Sequence, residues 1–389
     1  MSLTVVTEKS IKNTIMSKYV AKPLSYFVFI IWSMLTLLPL VWMAYSSFKT
    51  NEELGYDIYA LPHAMFDNKH DEFEIVKPQL NIVYPKGLLE GYGLKINDID
   101  KISDEILILE STTIAVGRRI KVHFLDKDEL IEKGYENIAN LNFGDNVTLD
   151  QLPKNIQRSI SWNTVWWNYT SAWIRGGLTA KFLNSLIYTL ISTAGVVLLG
   201  LMIGYGVSKF KYKKIAMAVS ALVGLGYLID VNQVIIPLFL MLTGLNLADT
   251  HLGIILVYTA FGLPLSVLLS SGFIKGLPGS LIESAYIDGA TPFRTFISII
   301  VPMTVPVIIT ISVMSGLGIW NEFLLVLVLA SSEATKSLPV GIFSFASKTG
   351  TQLGWQIASL VIATIPVLVV YLIFQKRLAE GVAGGAIKG

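Results

Sequence analysis

Six stretches of this chain are almost free of charge, and that pattern limits its folding more than any other feature. Pro23–Phe48, Phe182–Ser208, Leu252–Ile274 and Thr349–Gln375 carry no Asp, Glu, Lys or Arg. Ile215–Thr243 carries only Asp230, and Thr295–Ser332 only Glu322. A helix needs ~20 apolar residues to cross ~30 Å of hydrocarbon. Each stretch is long enough, so the sequence predicts six membrane spans. The first starts late, is too long for a signal peptide and lacks a small-residue cleavage site, which makes it a retained helix. Charged residues are 15% of the 389-residue chain, against roughly 25% in soluble domains. There is no cysteine, which excludes disulfides and thiolate sites. The net charge of +2 argues against a nucleic-acid partner.

Orientation follows from Lys and Arg near the span ends. Lys9, Lys12, Lys18 and Lys22 precede span one, and Lys209, Lys211, Lys213 and Lys214 follow span two. Lys275 and Arg294 follow span four; Lys376, Arg377 and Lys388 follow span six. The short loops on the other side hold only Lys336 and Lys348. Both termini are therefore expected in the cytoplasm of a multi-pass inner-membrane protein. Lys49–Lys181 holds 15 basic and 20 acidic residues, net −5, and the remainder carries +7.

A structureless loop of the size between spans one and two is improbable. Leu80–Tyr84, Ile106–Leu109 and Ile114–Phe124 read as strands. Asp126 with Glu129 resembles a capping box, opening a short helix that ends near Leu141. These predict an extracytoplasmic α+β domain over about 67–160. His63 and His70 lie near carboxylates; they read as solvated loop histidines, with a metal site as the sharper alternative. The run from Trp162 to Trp173 suits the membrane–water interface or, alternatively, carbohydrate stacking.

The loop between spans four and five reads K-G-L-P-G-S-L-I-E-S-A-Y-I-D-G-A-T-P-F-R-T-F-I-S-I-I-V-P over 275–302. Pro278 suits a helix start, Gly289 a stop or close approach, and Thr291–Pro292 a second start. Ile282, Ala285, Tyr286, Gly289 and Phe293 make one mostly apolar stripe. Such a helix lies on lipid or docks into a soluble partner; with only Lys275 and Arg294 as basic residues, docking is favoured.

Glu283, Ser284, Ala285, Gly289, Ile299, Val301 and Pro302 form E-S-A-x3-G-x9-I-x-V-P. This resembles the E-A-A-x3-G-x9-I-x-L-P signature of permease subunits from binding-protein-dependent ABC importers. Ser47–Leu54 (S-F-K-T-N-E-E-L), N-Y-T-S-A-W, F-L-N-S-L, Trp320–Phe323, Ser337–Gly341 (S-L-P-V-G) and the closing G-V-A-G-G-A-I-K-G resemble the carbohydrate-uptake branch, the maltose type in particular. The similarity covers roughly 24–66 and 161–389; the insertion departs from it.

The resemblance implies an all-α polytopic fold of the type I importer kind with six transmembrane helices. It implies two ATPase subunits, a second permease and an extracytoplasmic solute-binding protein as partners. ATP and magnesium belong on the ATPases, since this chain has no G-x-x-x-x-G-K-[ST] loop. It carries no cofactor and is not itself an enzyme. Residues about 279–292, with Glu283, Ser284, Ala285, Asp288 and Gly289 at their centre, would couple to the ATPase. Glu283 would bond to it, and Ala285 and Gly289 would allow close packing. Gly385, Ala386, Ile387 and Lys388 read as a flexible tail on physics alone, and by resemblance as a segment reaching between the ATPases. The loop at 331–353 would face the solute-binding protein.

Asp230, Asn232, Gln233, Asn321 and Glu322 are the polar residues within the predicted spans. They line a translocation path or hydrogen-bond between helices. An ion-coupled secondary transporter using Asp230 or Glu322 is the competing function, although no internal repeat is evident. A non-sugar ABC substrate is another alternative, and a sensor would need a cytoplasmic signalling domain for which there is no room. Gly200-x3-Gly204 predicts close helix packing.

Overall fold

The computed structural model describes residues 22–77, 106–111, 122–174, 176–209, 213–347 and 350–386. Contacts divide these into two units. One runs to Thr170 and includes Gln352–Val361; the other is Ser171–Thr351 with Ile362 onward.

The first unit begins with α1 (Lys22–Ser46), a helix uncharged beyond Lys22 whose 18-residue apolar window has no buried side chain. Two short helices follow, α2 (Asn51–Tyr56) and α3 (His63–Phe66). Thr50 caps α2 with a capping box, its hydroxyl accepting from the Glu53 N–H. A four-stranded antiparallel sheet comes next: β1 (Glu72–Val76), β2 (Ile106–Ser111), β3 (Val122–Asp126) and β4 (Asn146–Thr148), in the order β3-β2-β1-β4. Between β3 and β4 lie α4 (Lys127–Glu132) and α5 (Glu136–Ala139). The Asp126 carboxylate caps α4 by accepting the Asp128 and Glu129 N–H groups. The predicted single helix to Leu141 is thus two pieces, parted at Gly134, which adopts φ +80° and is cheap there only because it lacks Cβ.

One face of the sheet is buried by α4, α5 and the start of α6 (Lys154–Ile174). Phe73, Ile75, Leu107, Leu109, Leu125, Leu130, Val147, Ile156 and Ile160 share that core. The alternation of Phe73 and Ile75, or Leu107 and Leu109, follows from the two-residue period of a strand. The strand expected at Leu80–Tyr84 and the first part of Ile114–Phe124 lie outside the described residues.

The second unit is helical. It contains α7 (Leu178–Lys209), α8 (Lys213–Leu228), α9 (Ile235–Gly244), α10 (His251–Lys275), α11 (Gly279–Ile287), α12 (Pro292–Met303), α13 (Val305–Asn321), α14 (Leu324–Leu329) and α15 (Leu338–Phe343). A two-residue hairpin, β5 (Ala346–Ser347) with β6 (Gly350–Thr351), precedes α16 (Leu353–Ala386), which begins in the first unit and continues into the second.

Among the described residues, four helices are long and apolar enough to span alone: α1, α7, α10 and α16 to Lys376. The pair α12–α13 makes a fifth if its 77° bend is one span. The bend sits between Pro302 and Pro306, each lacking an N–H for the helical ladder. The third predicted span is not one helix. It breaks into α8 and α9 around a 3₁₀ turn, Val231–Gln233, because the Asp230 carboxylate accepts the Asn232 N–H and caps a new start.

Packing centres on α7 and α10. Ser266 Oγ donates to the Val196 carbonyl and Ser270 Oγ to the Gly200 carbonyl, both at 3.0 Å. A Cβ on Gly200 would stand 1.9 Å from Ser266 Oγ, and one on Gly204 2.2 Å from Ser270 Oγ. The Gly200-x3-Gly204 pattern therefore meets a Ser-x3-Ser pattern across the seam, and small residues let the backbones approach.

Candidate functional site

The signature loop folds as two capped helices. α11 starts after Pro278 and ends at Asp288; Gly289 then takes φ +76°. That is the left-handed position that closes a helix and favours glycine. Among the described residues no atom would meet a Cβ there, so backbone conformation, not crowding by them, accounts for Gly289. Thr291 caps α12, its hydroxyl accepting the Arg294 N–H, with Pro292 at the first helical position.

The faces of α11 differ from the predicted stripe. Ile282 is buried in a cluster with Leu201, Tyr205, Ile274, Phe296 and Ile300, and Ala285 is buried too. Tyr286, Gly289 and Phe293 are exposed. Ala285 thus packs inward on the chain's own helices and is not offered to a partner. The outward face carries Glu283, Ser284, Ile287 and Asp288. Ile287 is 85% exposed, and the sequence stripe missed it. Its place four residues after Glu283 puts both on one side of the helix.

The intramembrane polar residues cluster at helix breaks. Asp230, Asn232 and Gln233 are exposed at the α8–α9 break. The Val231–Gln233 turn packs on α14, and Val231 joins a cluster with Leu325 and Phe323. Asn321 and Glu322 terminate α13 and do not sit within a continuous span. Glu322 is occupied: one oxygen accepts the Leu325 N–H at 2.8 Å and the other the Tyr258 hydroxyl at 2.8 Å. That is the helix-to-helix reading for Glu322. Asn321 is exposed, with its amide on the Leu317 carbonyl.

At the opposite ends of the helices, segments far apart in sequence clamp one another. Asn184 Nδ2 donates to the carbonyls of Ala334 and Lys336, and Ser185 Oγ accepts the Leu338 N–H. F-L-N-S-L and S-L-P-V-G are therefore two halves of one joint. Glu333 accepts from Lys336 and Lys181, and these hydrogen bonds hold its carboxyl below the usual range. Asp249 takes hydrogen bonds from Thr335 and Ser332, which lower its pKa likewise. Within the first unit, Asn168 of N-Y-T-S-A-W donates to the carbonyls of Ser47 and Lys49 in S-F-K-T at 2.7 Å. Trp320 donates its indole N–H to the Ala363 carbonyl.

His63 pairs with Asp71 at 2.6 Å, and burial raises the Asp71 carboxyl despite that partner. Among the described residues no three His, Cys, Asp or Glu groups converge as a metal site would require. The backbone of Gly385 and Ala386 is helical, the end of α16, where a flexible tail was the residue-level expectation. Ile387 and Lys388 lie outside the described residues.

Residues 171–384 match the model of the binding-protein-dependent transport system inner membrane component. The chain belongs to that family. The match begins after the sheet domain and leaves both that domain and α1 outside it. Among curated relatives, a diacetylchitobiose uptake system permease protein of Streptomyces coelicolor is 33% identical over 57% of this chain and 74% of its own. A trehalose transport system permease protein of Mycobacterium tuberculosis is 34% identical over 55% and 79%. An arabinooligosaccharides transport system permease protein of Bacillus subtilis is 32% identical over 57% and 78%. This family member is a membrane permease, a transport component and not a catalytic one.

Proposed function

We propose that this permease passes a sugar, most simply an oligosaccharide, from a solute-binding protein across the cytoplasmic membrane. ATP hydrolysis on two partner ATPase subunits drives it, and a second permease completes the pathway. Support for the substrate class comes from the uptake systems named for its relatives.

One observation carries the coupling assignment: α11 is two-faced. Ile282 roots it among the membrane helices and Ala285 is buried beside it on the inner face, while Glu283, Ile287 and Asp288 project outward. Force on the outward face is then transmitted as rigid-body movement of α7, α10 and α12. Gly385, Ala386, Ile387 and Lys388 are assigned to the same ATPase surface. Thirteen basic residues flank the side that holds this loop and both termini, which makes it cytoplasmic. Asp230, Asn232, Gln233 and Asn321 are the polar side chains assigned to the path, and Glu322 is given the positioning of α14. The acidic insertion is assigned to the solute-binding protein, as an enlarged outer docking surface. Ion coupling at Glu322 is not favoured, because the family and its relatives are binding-protein-dependent and ABC-type permeases.

The test is reconstitution of the full transporter in vesicles with its binding protein. Glu283→Arg with Ile287→Ser should abolish binding-protein-stimulated ATP hydrolysis and ATPase co-purification. Uptake that persists without an ATPase would overturn the proposal.

A further inference from the structure

The segment just after α1 turns back and is fixed beside the last turn of that span. Trp42 Nε1 donates to the Ile58 carbonyl at 3.0 Å, and the Tyr45 hydroxyl to the Tyr59 carbonyl at 3.4 Å. Lys49 Nζ donates to the carbonyls of Asp57 and Ile58, both at 2.9 Å, and is fully buried. The Asp57 carboxylate accepts the N–H groups of Tyr59 and Ala60, which stabilise its charge within the turn. The carbonyls of Asp57, Ile58 and Tyr59 and the N–H groups of Tyr59 and Ala60 are thus satisfied locally.

The side chains point the other way. Tyr56 is 88% exposed, Tyr59 73%, Leu61 60% and Phe66 67%. These are costly groups to leave in water and form a contiguous stretch of sequence on a rigid turn. Trp42 lies four residues before the end of α1, about 6 Å along its axis at 1.5 Å per residue. The turn therefore sits level with the final turn of a membrane span and not above it. The apolar surface of α1, exposed on every side from Lys22 to Val41 and including Phe29, Trp32, Leu35 and Leu38, runs up to it. Tyr and other aromatic side chains are favoured at the boundary between headgroups and acyl chains.

We infer that residues 56–66 are an interfacial anchor, held in the leaflet at the C-terminal end of α1, with phospholipid as the occupant. Asp57 and His63 are the only ionisable groups of this segment besides tyrosine, and Lys49 is engaged internally. The contact is therefore apolar, and it does not depend on the headgroup's charge. A soluble binding protein approaches from above the headgroups and does not reach this depth.

The chain has no cysteine, so one introduced thiol is unique within it. Tyr59→Cys and Leu61→Cys would each carry an environment-sensitive NBD label. Glu132→Cys on α4 is the water-exposed control. The full chain with its partner subunits is reconstituted in phosphatidylcholine vesicles, with and without anionic phosphatidylglycerol. Lipid spin-labelled near the headgroup should quench positions 59 and 61 at least twofold more than position 132. Aqueous iodide should show the reverse order, and both vesicle compositions should give the same result. Equal iodide quenching at all three positions would overturn the inference. So would quenching that requires anionic lipid, or shielding that appears only when the solute-binding protein is added.

Discussion

The α7–α10 seam offers a direct test of whether shape complementarity holds this membrane body together. Replacing Gly200 by Ala puts a Cβ 2.6 Å from Ser266 Cβ and 1.9 Å from its hydroxyl. The hydroxyl can rotate away, but Cβ is fixed to the backbone. Ordinary contact begins near 3.4 Å, so the helices must separate by about 0.8 Å. Overpacking of this kind costs ~1–3 kcal/mol. Adding Ser266→Gly removes both clashing atoms, and the next nearest atom, the carbonyl carbon of residue 266, stands at 3.4 Å. The double variant loses the hydroxyl's bond to Val196, worth ~0.6 kcal/mol in a membrane protein. The helix-propensity gain at 200 roughly offsets the loss at 266, each being under ~1 kcal/mol. Gly200→Ala alone should therefore be clearly destabilised, and Gly200→Ala with Ser266→Gly nearly restored. Equilibrium unfolding of the purified transporter in mixed micelles gives the four corners of the cycle. A double variant as unstable as the sum of its parts would refute steric coupling at this seam.

Other consequences follow from individual contacts. Burial depresses the His123 imidazole to about 4, whereas the unfolded group titrates near 6.5. The unfolded chain binds the extra proton between those values, so the insertion is fully stable above pH ~6.5 and loses up to ~3 kcal/mol as pH falls to ~4. Amide protection in Ile106–Ser111 should track this, and His123→Phe should flatten the response; an unchanged slope refutes it. Asn184→Ala leaves the carbonyls of Ala334 and Lys336 without their donor. It should cost ~1–3 kcal/mol and open the 331–337 loop to protease; wild-type cleavage rates would contradict this. Burying an isoleucine yields ~1.5–3 kcal/mol, so Ile287→Ser should weaken ATPase binding about 10–150-fold while leaving thermal stability within a degree or two. Affinity unchanged in a titration would remove Ile287 from the interface.

The unbroken apolar windows made α1, α7, α10 and α16 legible, because a bilayer demands ~20 uncharged residues whatever the helix packs against. Asp126–Glu129 and Thr291–Pro292 marked helix starts correctly, since capping is a local matter of unsatisfied N–H groups. The α11 face was harder. Periodicity places Ile282, Ala285, Tyr286 and Phe293 on one stripe, but only neighbouring helices decide which part is covered. Tyr286 and Phe293 stay outside, and Ile287 emerges as the exposed apolar residue.

The third span illustrates the same division. Its composition reads as one helix, yet Asp230 can either sit unpaired in a continuous helix or cap a new one. Capping satisfies the carboxylate, and packing of the 3₁₀ turn on α14 supports the break. Glu322 likewise could serve solute or fold until Tyr258 and the Leu325 N–H were seen to fill it.

Sequence alone thus determined the membrane-embedded class, the inserted sheet domain and the two capped helices of the signature loop. Each depends on composition or on contacts within a few residues. Only the tertiary structure decided which polar groups are already partnered, where Asn184 and Asn168 close their joints, and which side of α11 is free. Those depend on residues up to about 150 positions apart, whose meeting leaves no periodic trace in the chain.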